Sequence, residues 1–383
     1  MTAHTVFYTL GVIGPGGQER QILTIVRNLD PTRWKVVVVG TEAGALCDDF
    51  ARYADVHVLR DSGPVHTGRL GQMRRLLDKY QPSIVHTSLF TGNTWGRLGV
   101  ALRPINRPLV IMQEGSIDSW KGIAHRVVDR LLLGVTDAVV GNSQAVSRYL
   151  IEHERVPPHL VRTIPNGIAL ERAQQALGEP TEERRARRAE LGIGDEHFVI
   201  GHVGRFDPVK GLDVLLDAFT HVHRQLPNAR LLRVAQPPIR PEIPIAAAWD
   251  QTVRDRGLEG AIVNHPYTRN ISAVYNICDA VVQTSWREGL SNVILEAMAM
   301  ERSVVATAVG GTPEVVHHRR TGWIAPPGDV NGLASGLLHA YHNPIEARQW
   351  GIAGRKLVES EYTVERLVER TVSLYETMLN RPR

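Results

Sequence analysis

Two glutamates, Glu288 and Glu296, stand on either side of a predicted junction between a loop and a helix. The apolar run 279–284 predicts a buried strand before them, and Ser291 or Asn292 can cap the helix that follows. If both glutamates were helical, they would lie about 12 Å apart along the axis. Carboxylate pairs in glycosidases are only roughly 5 to 9.5 Å apart. We therefore expect the two glutamates to hold two parts of one elongated ligand.

The residues between the glutamates favour an anion. Gly289, Leu290 and Ser291 lead into the helix, whose first N–H groups are unpaired and lie at the positive end of the helix dipole. A phosphate site with a carboxylate on each side is suited to a nucleotide sugar.

Two basic residues, Arg205 and Lys210, follow the predicted strand 199–203. Arg205 falls at the carboxyl end of that strand, and Lys210 and Gly211 fall at the entrance of the next helix. Ligands of parallel α/β sheets bind at this end of the strands. The sequence leaves two interpretations open, contact with a phosphorylated ligand and surface salt bridging.

In the first half of the chain, glycines follow the first predicted strand, among them Gly16 and Gly17. Their spacing is not the Gly-x-Gly-x-x-Gly dinucleotide fingerprint, which argues against an NAD enzyme. They indicate either a tight turn or a close approach of the backbone to a phosphate or an acceptor. His86 ends another predicted strand, and Asn93 lies in the loop after it. Each is a candidate for acceptor contact or for a purely structural hydrogen bond.

Short apolar runs alternate with helical stretches, which predicts α/β architecture with two parallel, doubly wound sheets. A length of 383 residues also suggests two domains. We expect an N-terminal domain over 1–170, a linker over 171–194, a C-terminal domain over 195–362 and a last helix over 363–383. The predicted strands are 5–10, 35–40, 83–87, 108–112 and 137–141 in the first series, and 198–203, 230–235, 261–263, 280–284 and 303–308 in the second.

Composition excludes several classes of protein. No apolar stretch is long enough to span a membrane, and the N-terminus lacks a signal sequence, so we expect a cytoplasmic protein. The two cysteines, Cys47 and Cys278, do not form a Cys-x-x-Cys motif, and there is no Asp-x-Asp to hold a divalent metal. A net charge of +4 does not indicate nucleic-acid binding. The basic run 182–190 indicates a solvated helix face or contact with an anionic membrane surface or acceptor.

Several short motifs together resemble the retaining glycosyltransferases of family 4, which have the two-domain GT-B fold with Rossmann-like domains facing a central cleft. Each motif is weak alone, and their order and spacing carry the resemblance. The motifs are Gly16-Gly-Gln-Glu-Arg20, Ile164-Pro-Asn-Gly-Ile168, Val203-Gly-Arg205 with Lys210-Gly211, the segment from Glu288 to Glu296, Gly310-Gly-Thr-Pro-Glu314 and Thr321-Gly-Trp-Ile-Ala-Pro-Pro-Gly-Asp329.

The resemblance implies roles for these residues. Arg205 and Lys210 would bind the pyrophosphate of the donor, Glu288 would lie near the donor sugar, and Glu296 would hold the ribose hydroxyls. The departing phosphate itself would help to deprotonate the acceptor hydroxyl. No cofactor beyond the nucleotide sugar is implied, and the C-terminal helix would return to the first domain.

The chain departs from the family pattern where the acceptor would bind. Gln113 and Glu114 stand where family members often have His or Arg, and the motif Ala235-Gln-Pro-Pro238 replaces a Gly-rich turn expected near the nucleotide base. At 300–303, Met-Glu-Arg-Ser replaces a stretch that typically contains Gly and Pro. His86, Asn93, Gln113 and Glu114 are therefore only weak acceptor candidates.

The function expected from the sequence is transfer of a hexose-type sugar from a nucleotide diphosphate donor, most simply UDP-linked, to a hydroxyl acceptor. The acceptor could be a saccharide, a lipid-linked molecule or a small molecule, and peripheral contact with the inner face of a membrane stays open. The alternatives are a nucleotide-sugar epimerase or hydrolase, and a non-catalytic nucleotide-sugar-binding protein.

Overall fold

The computed structural model describes residues 3–60, 67–103, 107–117, 121–236 and 245–381. The chain divides into two compact units. The first combines Met1–Gly167 with Val364–Arg383, and the second is Ile168–Thr363.

The first unit contains a seven-stranded parallel sheet with the strand order β3-β2-β1-β4-β5-β6-β7. Its strands are β1 (His4–Val12), β2 (Trp34–Glu42), β3 (Asp55–Val58), β4 (Ile84–Ser88), β5 (Leu109–Glu114), β6 (Ala138–Gly141) and β7 (Val161–Thr163). Its helices are α1 (Gly17–Asn28), α2 (Cys47–Ala51), α3 (Thr67–Tyr80), α4 (Leu89–Ala101), α5 (Ile123–Leu132), α6 (Gln144–Glu152) and, after the second unit, α16 (Val364–Leu379). The inner strands are buried on both faces, which explains why they are apolar runs without alternation.

The second unit contains a six-stranded parallel sheet with the order β10-β9-β8-β11-β12-β13. Its strands are β8 (Phe198–Arg205), β9 (Ala229–Gln236), β10 (Ile262–His265), β11 (Ala280–Gln283), β12 (Ser303–Thr307) and β13 (Trp323–Ala325). Its helices are α7 (Leu170–Leu177), α8 (Thr181–Glu190), α9 (Leu212–Gln225), α10 (Ile245–Asp255), α11 (Ile271–Ile277), α12 (Asn292–Ala299), α13 (Thr312–Val315), α14 (Val330–His342) and α15 (Pro344–Glu361).

Both sheets have the strand order of a doubly wound Rossmann-like domain. In this order, the next strands are added on one side of the first strand and the later strands on its other side. The change of side lies between β1 and β4 in the first unit and between β8 and β11 in the second. The predicted fold class is therefore confirmed. Three short edge strands, β3, β7 and β13, were not predicted, because polar residues interrupt β3 and β7 and because β13 has only three residues.

The stretch 171–194, expected to be a linker, contains most of α7 and all of α8 and belongs to the second unit. Ala173, Ala176 and Ile193 are buried in a core of that unit. Two arginines of the basic run point inward, since Arg184 and Arg188 each bind Asp279, at 3.0 and 2.8 Å. The run is therefore not simply a solvated face.

The last helix, α16, is part of the first unit. Its apolar side chains Leu367, Leu374 and Met378 are buried in the core around β1, and the Tyr375 hydroxyl is 2.6 Å from that of Tyr8. No helix among the described residues is long and apolar enough to cross a membrane.

Candidate functional site

The carboxyl end of β8 carries the two predicted basic residues. Arg205 is the last residue of the strand, and its guanidinium lies 3.3 Å from the Asp207 carboxylate. Asp207 also accepts a hydrogen bond from the Val209 amide at 3.0 Å, which caps the short 3-10 turn Pro208–Lys210. Gly211 then adopts a φ of +59° and starts α9. This turn fixes the backbone of Lys210 beside the strand end.

Lys210 and Glu288 form an ion pair, with Nζ 2.7 Å from Oε1. The same carboxylate oxygen accepts hydrogen bonds from Gln283 at 3.0 Å and from Ser285 at 2.7 Å. Both charged side chains are mostly buried, with 22% of Lys210 and 13% of Glu288 exposed. The structure thus brings together two residues to which the sequence assigns different parts of the ligand.

Gln283, which the sequence analysis missed, orients this part of the site. Its amide group donates to Glu288 and also to the Ser291 hydroxyl, at 2.7 Å. Ser291 is the N-cap of α12 and accepts from the Ile294 amide at 3.5 Å, so the structure uses one of the two predicted caps. One side chain therefore links Glu288 to the N-terminus of α12. The available signal was a polar residue at the end of an apolar strand.

Two glycines support the loop that carries Glu288 and Gly289. Gly310 has a φ of +52°, and a Cβ added there would lie 2.0 Å from the Glu288 carbonyl oxygen. The Gly311 amide donates to the Gly289 carbonyl at 2.6 Å. Glycine at 310 is required both by the backbone conformation and by this close approach. Leu290, also predicted for the donor site, is buried in the core below.

Glu296 lies within α12 and accepts a hydrogen bond from the Tyr275 hydroxyl at 3.1 Å. Burial, with the charge of Glu296, raises the pKa of Tyr275 well above its usual value, so this phenol stays protonated and donates. The arrangement holds the Glu296 carboxylate in one orientation.

A buried cation that sequence analysis missed lies on β9, next to β8. Arg233 pairs with His202 across the two strands, and its guanidinium packs 3.6 Å from the ring centre of Phe206 and 5.2 Å from that of Trp249. Its three guanidinium nitrogens form no hydrogen bond with the described residues. Burial lowers the pKa of Arg233 to about 10, so it remains charged at neutral pH. Burial, and then the charges of Arg233 and Lys210, lower the pKa of His202 well below 6.5.

The glycines predicted for the donor site lie in the first unit. Gly16 is the N-cap of α1 and Gly17 is its first residue. A Cβ at Gly16 would lie 2.1 Å from the Glu19 carboxylate. Glycine at 16 therefore leaves room for the Glu19 side chain at the start of α1.

Asn93 and Glu114, two of the acceptor candidates, lie together in a buried network. The Asn93 amide donates to Glu114 at 2.9 Å, and Lys121 Nζ binds Glu114 at 3.2 Å and Asp129 at 3.1 Å. Arg97 also binds Asp129. Buried opposite charges that are paired in this way hold their elements in place. The network shows how Asn93 and Glu114 are positioned, and it leaves their contact with an acceptor untested.

The other two acceptor candidates are also buried. His86 Nδ1 is 2.6 Å from the Tyr375 hydroxyl of α16, and burial lowers the pKa of His86 to about 3, so the ring is neutral. The backbone carbonyl of Gln113 accepts a hydrogen bond from the Asn93 side-chain amide at 3.4 Å. Within the described residues, no three His, Cys, Asp or Glu side chains cluster as a metal site would require. The motif 235–238 falls partly outside the described residues.

Comparison with known proteins identifies the class to which this arrangement belongs. The Glycosyltransferase Family 4 model matches residues 15–172, and the model for glycosyl transferases group 1 matches residues 197–343. An alpha-maltose-1-phosphate synthase of Mycolicibacterium smegmatis is 28% identical over 309 residues, which are 76% of this chain and 78% of that protein. A D-inositol 3-phosphate glycosyltransferase of Segniliparus rotundus is 28% identical over 292 residues, covering 72% of this chain and 62% of that protein.

The fold has a close counterpart among solved structures. Anabaena Alr3699/HepE, solved in complex with UDP and glucose, superposes with a TM-score of 0.87 at 20% identity, covering 99% of this chain and all of that one. The protein is therefore a glycosyltransferase with the GT-B fold. Within that class, the chain is similar to the family 4 glycosyltransferases, whose model matches residues 15–172.

Proposed function

We propose that this protein is a retaining transferase that moves a hexose-type sugar from a UDP-sugar to a hydroxyl acceptor. The observation that carries the proposal is the grouping of Arg205, Lys210 and Glu288 next to the N-terminus of α12, at the carboxyl ends of β8 and β11. UDP and glucose are bound in the structurally similar HepE, which supports a UDP-linked hexose as the donor.

In this proposal, Arg205 and Lys210 bind the diphosphate, and the positive end of the α12 dipole adds to the positive potential. Each cation now has a carboxylate partner, Asp207 or Glu288. A donor that carries the negative charge of two phosphates would compete for the cations. Glu288 would then be free to accept a hydrogen bond from the sugar, and Glu296 would bind the ribose hydroxyls.

The reaction breaks the bond between the sugar C1 and the oxygen of the β-phosphate. The bonding electrons leave with the nucleoside diphosphate, whose oxygen takes the proton of the acceptor hydroxyl. The acceptor oxygen bonds C1 on the same face, which retains the configuration. Arg205, Lys210 and the α12 dipole stabilise the charge that develops on the leaving phosphate. We expect these groups to act without a metal ion.

A panel of nucleotide sugars would test the proposal by thermal shift. A ligand present at a hundred times its dissociation constant stabilises the native state by about 2.7 kcal/mol. We expect UDP-hexoses to raise Tm with and without EDTA, and NMR of the product to show a glycoside with the anomeric configuration of the donor. An inverted product or a requirement for Mg²⁺ or Mn²⁺ would contradict the mechanism. A new free sugar or a new nucleotide sugar would identify a hydrolase or an epimerase, and binding without turnover would identify a binding protein.

A further inference from the structure

The helix α5 (Ile123–Leu132) has an apolar face that points into solvent. Ile123, Val127 and Leu131 are 84%, 50% and 75% exposed, and they account for three of the eight large hydrophobic residues exposed among the described residues. They follow each other at intervals of four residues, so they share one face and form a stripe about 12 Å long. Single exposed apolar residues are normal, whereas a continuous stripe indicates an interaction surface.

The opposite face of α5 is firmly anchored. Leu132 and Asp129 are buried, and α5 packs against α4. Asp129 binds Lys121 at 3.1 Å and also binds Arg97. These buried ion pairs fix the rotation of the helix about its own axis. The stripe therefore cannot be covered by a simple rotation of α5.

Two arginines lie beside the stripe. Arg126 and Arg130 are exposed, and each is one turn away from a residue of the stripe. Neither forms an ion pair with a residue in the described ranges. A helix that combines an exposed apolar face with neighbouring arginines has the chemistry of an interfacial membrane helix, whose aliphatic side chains enter the bilayer while the arginines meet anionic headgroups.

We propose that α5 docks this protein on an anionic lipid surface through Ile123, Val127 and Leu131, with Arg126 and Arg130 in contact with the headgroups. A second copy of the chain is a poorer occupant. A stripe of three side chains is small beside the roughly 1,200 to 2,000 Å² that stable protein interfaces bury. A two-fold contact would also place Arg126 and Arg130 of both copies at the same interface, where their like charges would repel each other. The basic run of α8 is a weaker candidate, because Arg184 and Arg188 bind Asp279.

The test is co-sedimentation of the full chain with vesicles of phosphatidylcholine, with and without phosphatidylglycerol. We expect binding to the anionic vesicles that falls as salt is raised. Ile123→Ser with Leu131→Ser should weaken binding at least about tenfold, because two aliphatic side chains no longer enter the bilayer. Arg126→Gln and Arg130→Gln should each weaken it roughly fivefold at low salt.

Ile345→Ser is the matched control, since Ile345 is 77% exposed in the second unit and lies outside the stripe. It should bind vesicles like the wild type. All variants should keep the wild-type Tm and UDP affinity, which separates this test from that of the proposed function. Absence of binding to anionic vesicles, or an equal loss in Ile345→Ser, would overturn the proposal. So would a concentration-dependent dimer that Leu131→Ser dissolves while vesicles bind nothing, because the occupant would then be a second copy.

Discussion

The ion pair between Lys210 and Glu288 leads to a test of how the donor binds. In Glu288→Gln, the side chain loses its charge but can still accept the hydrogen bonds of Gln283 and Ser285. The loop should therefore keep its conformation. Lys210 loses its partner at 2.7 Å and becomes available to a phosphate.

The expected gain in affinity for UDP follows from the energy of this pair. The gross attraction of two charges about 4 Å apart is about 4 kcal/mol at an effective dielectric constant of 20. Desolvation of both groups opposes most of it, and partly exposed pairs contribute about 1 kcal/mol. Removing the competing carboxylate should therefore tighten UDP binding about fivefold. Turnover should fall by about a hundredfold or more, because a group that faces the reacting sugar is lost.

Calorimetric titration with UDP and a rate assay with the donor measure the two effects separately. Raising the ionic strength should reduce the difference in UDP affinity between Glu288→Gln and the wild type, since salt screens charges near the surface. Glu259→Gln is a matched control, because Glu259 is an exposed carboxylate in the same unit. If Glu288→Gln binds UDP no more tightly than the wild type at low salt, the carboxylate does not compete with the diphosphate. If turnover is unchanged, Glu288 does not face the sugar.

Four further substitutions test other parts of the structure. Lys210→Ala should weaken UDP binding roughly ten- to a hundredfold in calorimetry, because a charge-assisted contact contributes about 1.5 to 3 kcal/mol. Gly310→Ala should lower the free energy of unfolding in urea by about 1 to 3 kcal/mol owing to its positive φ, whereas Gly71→Ala, with open space around it, should not. Arg233→Met should raise Tm and yet weaken UDP binding up to roughly twentyfold. His86 has a pKa of about 3 when folded and an ordinary value of 6.5, so only the unfolded chain takes up its proton between these values. Stability should therefore decrease as the pH is lowered from 6.5 towards 3, with a contribution from His86 of about 1.4 kcal/mol per pH unit, and His86→Gln should remove this contribution in urea unfolding.

The fold was largely predictable because its signals are local. Apolar runs such as those of β1 and β8 are buried on both faces, and their alternation with helices leads to the doubly wound order. The short edge strands lack that signal. The segment that forms α7 and α8 was expected to be a linker, because its sequence is turn-like and then charged. The sequence alone does not reveal that two of the charged residues, Arg184 and Arg188, form ion pairs with Asp279.

The sequence indicated candidate residues for the site but not how these residues pair with one another. Lys210 and Glu288 are 78 positions apart, and nothing local indicates that they bind each other. Gln283 belongs to a run that reads as an apolar strand, and its two hydrogen bonds depend on where the following loop returns. Arg233 had a clear signal, a charged residue within the buried run of β9, whose meaning depends on Phe206 and Trp249 from elsewhere in the chain.

The charges of the second unit lead to a prediction for Arg233 in the proposed binding of the donor. Arg205 and Lys210 are each matched by a carboxylate, so these four side chains carry no net charge to attract a diphosphate. Arg233 adds a cation that forms no hydrogen bond within the described residues, although Asp250 is near enough to favour its charged form. At an effective dielectric constant of 20, a charge on the order of 10 Å away contributes about 1.7 kcal/mol at most. Burying such a cation costs stability, and methionine would relieve that cost while packing between the same rings. If the positive charge of Arg233 favours UDP binding at a cost in stability, Arg233→Met should raise Tm and lower the affinity for UDP. A decrease in both Tm and UDP affinity would show instead that Arg233 contributes only to packing.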